Sequence, residues 1–237
     1  GAVTTDYEGK AIIDFLPVGK YYAVEKSTIK GFVLDETPVL FDVSYVDQET
    51  KVVYCDNTIK NERQKVEINI VKKDSETKEL LADAEFGLYT ATDIYAANGT
   101  LLFKAGNLIE TAKSDKKGIA SFSADLPLGT YFVKELKAPK GYVKSDEIID
   151  IDASTVSDTE KVFAVTAECE NDRIKVDFTK TDITGSNEVE GAKLSIIDEN
   201  GEVIESWTSG KEAHRVELLA AGTYTLREES APYGFRI

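Results

Sequence analysis

The sequence predicts an all-β chain built from tandem β-sandwich repeats, and three observations predict it. First, a motif returns three times. Leu126-Pro127-Leu128-Gly129-Thr130-Tyr131-Phe132-Val133-Lys134-Glu135 leads to Gly141-Tyr142, Leu16-Pro17-Val18-Gly19-Lys20-Tyr21-Tyr22-Ala23-Val24-Glu25 to Gly31-Phe32, and Leu219-Ala220-Ala221-Gly222-Thr223-Tyr224-Thr225-Leu226-Arg227-Glu228 to Gly234-Phe235. Each copy reads Gly-x-Tyr-x-x-x-Glu followed by a Gly-aromatic pair, and self-similarity of this kind marks a repeat architecture. Second, apolar and polar residues alternate with the period of half-buried strands. Third, turn residues interrupt the runs at short intervals. Asp115-Lys116-Lys117-Gly118 and Asp198-Glu199-Asn200-Gly201 read as hairpin turns. Short strands between frequent turns favour a sandwich.

The elements follow in order. Residues 1–62 hold the Glu25 box and Asn61 without a first strand, and read as the C-terminal part of a repeat. Residues 63–172 read as a complete repeat. The register between the two runs without gaps: Gly31 to Asn61 and Gly141 to Asn171 are the same length. Lys51-Val52-Val53 falls on Lys161-Val162-Phe163, and Asn61-Glu62-Arg63 on Asn171-Asp172-Arg173. A strand follows each Arg. In the complete repeat Val66, Ile68, Ile70 and Lys72 share one face, and Glu67, Asn69 and Lys73 the other. Residues 173–237 repeat this with Val176, Phe178 and Lys180, carry Glu228, and read as the N-terminal part of a third repeat. Residues 90–113 read as an insertion, with a short helical turn expected between Thr90 and Asn98. The chain thus reads as a slice of a longer array, cut within a repeat at both ends. An incomplete sandwich leaves a sheet edge open. Poorly ordered ends, or strand exchange between the truncated ends of two molecules, are the two expectations.

A Lys aligned with the buried face is the unusual feature. The complete repeat carries Lys72 on its first strand, Glu135 on a middle strand and Asn171 on its last strand. First and last strands of a sandwich often lie side by side. A neutral amine attacks a carboxamide carbon, ammonia leaves and an isopeptide bond forms. Burial disfavours the charged forms of amine and carboxyl alike, and a protonated Glu135 would polarise the Asn171 carbonyl and carry protons. The plainer reading is a Lys that snorkels to solvent or pairs with the Glu across the sheet. Recurrence of the Lys register and of the Glu favours the cross-link.

The chain resembles the Cna B-type and SpaA-like pilin repeats of Gram-positive surface proteins. The resemblance rests on Ile70-Val71-Lys72-Lys73-Asp74, Ala84-Glu85-Phe86-Gly87-Leu88-Tyr89, the stretch from Leu126 to Tyr142, and Asn171. In the later repeat it rests on Phe178-Thr179-Lys180-Thr181-Asp182, Gly191-Ala192-Lys193-Leu194 and Leu219 to Phe235. It implies reverse-immunoglobulin (Ig-like) or prealbumin-like sandwiches with internal Lys–Asn isopeptide bonds. Lys72 and Asn171 would be the bonded pair and Glu135 the catalytic partner. Glu25 with Asn61, and Lys180 with Glu228, would be incomplete sets. It also implies an extracellular, cell-wall-attached location, with neighbouring repeats of the same polypeptide as partners.

Composition excludes other classes. With 43 acidic and 28 basic residues the net charge is −15, which argues against nucleic acid and against anionic lipid. No apolar run is long enough for direct membrane insertion, no signal peptide stands at Gly1, and no sorting signal follows Ile237. Cys55 and Cys169 read as small buried apolar residues rather than a disulfide framework. His214 reads as a solvated turn residue, so no catalytic set is expected and the only chemistry is single-turnover self-cross-linking. No cofactor and no metal site is expected; the turns at Asp146 and Asp198 lack the ligand spacing of a calcium loop. Trp207 is expected in the core. The first functional reading is a stalk or spacer array of an adhesin or pilus protein. The second is a module that binds a host-surface or matrix ligand, by an added strand or a groove near Trp207.

Overall fold

The structure, a computed structural model, describes residues 1–50, 53, 55–185 and 187–236. Lys51, Val52 and Ile237, used in the sequence reading, lie outside these. Among the described residues there are strands and turns and no helix.

In chain order the strands are β1 (Gly19–Ala23), β2 (Val39–Val43), β3 (Lys65–Asp74), β4 (Glu85–Thr90), β5 (Ile94–Tyr95), β6 (Leu101–Phe103), β7 (Leu108–Lys113) and β8 (Ile119–Ser121). They continue with β9 (Gly129–Lys137), β10 (Ile148–Ala153), β11 (Val162–Asn171), β12 (Lys175–Phe178), β13 (Lys193–Ile197), β14 (Val203–Thr208), β15 (His214–Glu217) and β16 (Thr225–Ser230).

The central sandwich faces a sheet ordered β10-β9-β4-β7 against one ordered β11-β3-β8. Its core is contributed by both sheets: Val66, Ile68 and Ile70 from one, and Phe86, Leu88, Tyr131 and Val133 from the other. β3 and β11 run parallel in unbroken register from Lys65↔Val162 to Asp74↔Asn171. The strand that opens this sandwich and the strand that closes it are therefore neighbours.

The insertion corrects one expectation. Thr90 to Asn98 forms no helical turn. Ile94 and Tyr95 pair with Leu101 and Phe103 as a small β-ribbon, and β7 returns to pair with β4. The Asn98-Gly99 turn reverses the chain, with Gly99 at φ 80° and Asn98 Oδ1 accepting the Thr100 N–H. The turn at Asp115–Gly118 is a second correction. It joins β7 to β8, which belong to different sheets, so it is a corner rather than a hairpin.

The recurring Tyr has a common job. Its hydroxyl donates back to a carbonyl four residues earlier: Tyr21 to Pro17 (2.8 Å), Tyr131 to Pro127 (2.5 Å) and Tyr224 to Ala220 (2.9 Å). The bond pins the entry to each box strand. The box ends on a left-handed Gly, at φ 91° for Gly31, 84° for Gly141 and 89° for Gly234, a conformation that lacks the Cβ clash other residues suffer. The first two of these turns receive the chain that follows. Gln64 N–H bonds to the Gly31 carbonyl and Ile174 N–H to the Gly141 carbonyl, each at 2.8 Å.

The flanking parts are thinner. β1 and β2 form a two-stranded sheet, with Tyr21 and Phe41 rings stacked 5.7 Å apart. Downstream, β12 pairs with β15, and β13 lies between β14 and β16. Val189, Leu194, Ile196 and Val216 are buried there.

Candidate functional site

Three strands of the central sandwich bring Lys72, Glu135 and Asn171 together. Along β3 the buried positions are Val66, Ile68, Ile70, Lys72 and Asp74, so the inward face turns from apolar to ionic at the strand's end. The alternation that places Ile70 inside also places Lys72 inside, because every second side chain points to the same face. β11 contributes Cys169 and Asn171 on the matching face. β9, from the facing sheet, contributes Glu135 after Tyr131 and Val133. The side chains of Lys72 and Glu135 are 0% exposed and Asn171 is 2% exposed. Such burial is incompatible with a snorkelling Lys.

The geometry is compact. Lys72 Nζ lies 3.1 Å from Glu135 Oε1 in an ion contact. The other carboxylate oxygen, Oε2, accepts Asn171 Nδ2 at 2.8 Å and the Ser145 backbone N–H at 2.6 Å. Lys72 Nζ also lies 3.0 Å from Cys169 Sγ and 5.8 Å from the centre of the Phe86 ring. Asn171 Oδ1 is buried and has no hydrogen-bond partner among the described residues. One carboxyl group thus grips both an amine and a carboxamide, out of water. Moving a proton from the amine to the carboxylate cancels two charges that the apolar surroundings solvate poorly. It leaves a nucleophile and a general acid beside the same amide.

The two other candidate sets are parts of this arrangement. Glu25 Oε2 accepts Asn61 Nδ2 at 2.5 Å and the Asp35 N–H at 3.0 Å. Asp35 stands ten residues after Glu25, as Ser145 stands ten after Glu135, so the grip on the amide is reproduced. Lys180 Nζ lies 3.9 Å from Glu228 Oε2, and among the described residues the buried Glu228 Oε1 has no hydrogen-bond partner.

A second ionic cluster adjoins the central one, and sequence reasoning missed it. Asp74 Oδ2 accepts Arg173 Nε at 2.7 Å and the Tyr142 hydroxyl at 2.9 Å, while Oδ1 accepts the N–H groups of Glu76 and Thr77. Arg173 reaches on to Glu217 at 3.1 Å, and Lys175 pairs with Glu76. Burial alone would raise the Asp74 carboxyl. The Thr77 N–H, Arg173, the Glu76 N–H and Tyr142 outweigh it and hold the group well below the usual carboxylate range. Tyr142 is pushed up to about 12, by burial first and by its bond to Asp74 next. Two signals for this cluster were present: Asp74 continues the buried alternation, and Arg173 repeats Arg63 after the Asn.

Three further expectations are corrected. Cys55 is exposed, and its thiol donates to the Asp42 carbonyl at 3.2 Å; only Cys169 is buried. His214 lies in β15, pairs with Glu205 at 2.6 Å and stacks on Trp207 at 4.5 Å, so it is no free turn residue. Trp207 is half-buried between Phe178 and His214 rather than in the core, because β14 is an edge strand. Among the described residues no group of three or more His, Cys, Asp or Glu side chains is placed to hold a metal ion.

Fold and site together define tandem all-β sandwich modules with a Lys–Glu–Asn cluster sealed inside the central one. The SpaA prealbumin-like fold domain model matches residues 1–58, 66–168 and 174–237, and the chain belongs to that family. It is 32% identical over 117 residues to the trypsin-resistant surface T6 protein of Streptococcus pyogenes serotype M6. That match covers 49% of this chain and 17% of the relative, so the chain spans under a fifth of its length. The solved structure of the Bacillus anthracis TIE protein is similar over 97% of this chain and 39% of its own, with 28% identity and a TM-score of 0.63. A streptococcal ancillary pilin matches over 94% of this chain and 69% of its own, at 24% identity and a TM-score of 0.36.

Proposed function

We propose that the chain is a run of stalk or spacer repeats from a cell-wall-anchored adhesin or pilus protein of a Gram-positive bacterium, and that its central repeat is stiffened by a Lys72–Asn171 isopeptide bond. Residues 63–172 are the complete repeat, with 1–62 and 173–237 parts of its neighbours. Lys72 Nζ attacks Asn171 Cγ, the bond to Nδ2 breaks, and ammonia leaves. From neutral Lys72 and protonated Glu135, the acid gives its proton toward the departing nitrogen and takes one back from the attacking nitrogen, ending as it began.

The observation that carries this is the single carboxyl group of Glu135 meeting both the Lys72 amine and the Asn171 amide in a buried site. The parallel pairing of β3 with β11 supplies the mechanical sense. Tension enters the central sandwich on β3 and leaves on β11, so a bond between them carries it past the rest of the fold. The likeness to a streptococcal surface protein supports the location outside the cell, and that relative's trypsin resistance suits a cross-linked fold.

Intact-mass spectrometry of the purified chain tests the reading. The mass should fall short of the sequence mass by one ammonia for each bond, and Lys72→Ala and Glu135→Ala should each remove the central deficit. A deficit that survives in both variants would place the bond elsewhere.

A further inference from the structure

Proximity alone does not make an amine attack. A neutral primary amine has two N–H bonds and one lone pair, and the lone pair must face the electrophilic carbon. Lys72 has an acceptor for each N–H. Glu135 Oε1, at 3.1 Å, approaches from the facing sheet. Cys169 Sγ, at 3.0 Å, approaches from the adjacent strand, where Cys169 is the direct register partner of Lys72. Asn171 lies two residues further along the same face of β11, 98% buried by its 2% exposure, with Oδ1 unpartnered among the described residues. Its carboxamide is held by the other oxygen of the same Glu135 carboxyl group, Nδ2 donating to Oε2 at 2.8 Å.

We infer that Cys169 is a positioning residue for the condensation: its sulfur accepts one N–H of Lys72 and, with Glu135, turns the lone pair toward Asn171 Cγ. This rests on the Lys72–Asn171 reading above. A thiol sulfur is a weak acceptor, so it orients the amine without holding it back from the carbon. Burial pushes the Cys169 thiol up, against the opposing bond and charge of Lys72, so the group stays a thiol and does not compete as a nucleophile. The sulfur is unchanged by the reaction. The fold does not demand it, because the same register position of the first copy holds Ile59. Cys169 therefore sets how fast the bond forms rather than whether it forms.

The test follows ammonia loss in time. The full chain is made by cell-free translation in the cold, quenched in acid at intervals, and weighed intact. Cys169→Val keeps an apolar filling without an acceptor, whereas Cys169→Ser keeps an acceptor and gives up apolar character. Loss of one oriented hydrogen bond slows a step about five- to tenfold, so the Val variant should lag by that factor and the Ser variant should stay near the parent. Melting of the same two variants in an Asn171→Ala background, where no bond forms, should run the other way, with Val at least as stable as Ser. A Val variant that condenses as fast as the parent, or rates that follow the melting order, would overturn the positioning role while leaving the bond intact. A parent chain that never loses ammonia would remove both.

Discussion

Replacing Asn171 by Ala separates a bonded sandwich from an unbonded one by magnitude. The bond would close a loop of 171 − 72 = 99 positions. Loop-closure entropy for that length stabilises by about 4–5 kcal/mol. In an unbonded chain Asn171 Nδ2 instead donates to Glu135 at 2.8 Å, and a hydrogen bond to a charged group contributes about 1.5–3 kcal/mol. A bonded parent, whose Asn171 nitrogen has left as ammonia, should lose about 4–5 kcal/mol on Asn171→Ala, most of the stability of a marginal domain. An unbonded parent should lose only the smaller term. Urea unfolding followed by far-ultraviolet circular dichroism reads the difference. A loss of about 3 kcal/mol or less would refute the cross-link as the source of stability.

Other outcomes follow from the same geometry. Pulling single molecules of Asn171→Ala should release about 350 Å of chain between residues 72 and 171, at roughly 3.5 Å per residue, while the parent keeps that length closed. The Asp74 carboxyl lies lower in the folded chain than in the unfolded one. Its contribution is complete above about pH 4 and is lost as pH falls through the folded value; an Asp74→Asn variant should lack that acid dependence in thermal melts between pH 2 and 6. Gly141→Ala should destabilise far more than Gly31→Ala. Both glycines are left-handed, but a Cβ on Gly141 would meet the Leu218 carbonyl oxygen at 2.5 Å, whereas one on Gly31 meets nothing within 4 Å. Strain alone costs about 1 kcal/mol, so equal melting shifts for the two would contradict the close packing at Leu218.

Much of the site was legible because it repeats. The Gly-x-Tyr-x-x-x-Glu box marks Glu135, and period-two alternation alone puts Lys72 on the inward face. Long-range pairing was less accessible. Alternation says which face a residue takes but not which strand lies beside it, so Cys169 read as a plain apolar filler. Only the parallel register of β3 with β11 sets its sulfur against the Lys72 amine. Asp74 was passed over for a similar reason: its partner Arg173 lies beyond the last strand, 99 residues away. Trp207 was expected in the core, yet it lies on β14, a sheet edge, between Phe178 and His214. Thr90–Asn98 suggested a turn of helix, but the left-handed Gly99 and the cross-strand pairs of β5 with β6 decided otherwise.

Fragment mass spectrometry after protease digestion interrogates the linkage itself. A single branched peptide joining the Lys72 segment to the Asn171 segment, lighter than its two parts by one ammonia, is the expected product. Recovery of both segments only as separate linear peptides, Lys72 with a free amine and Asn171 with an intact amide, would contradict it.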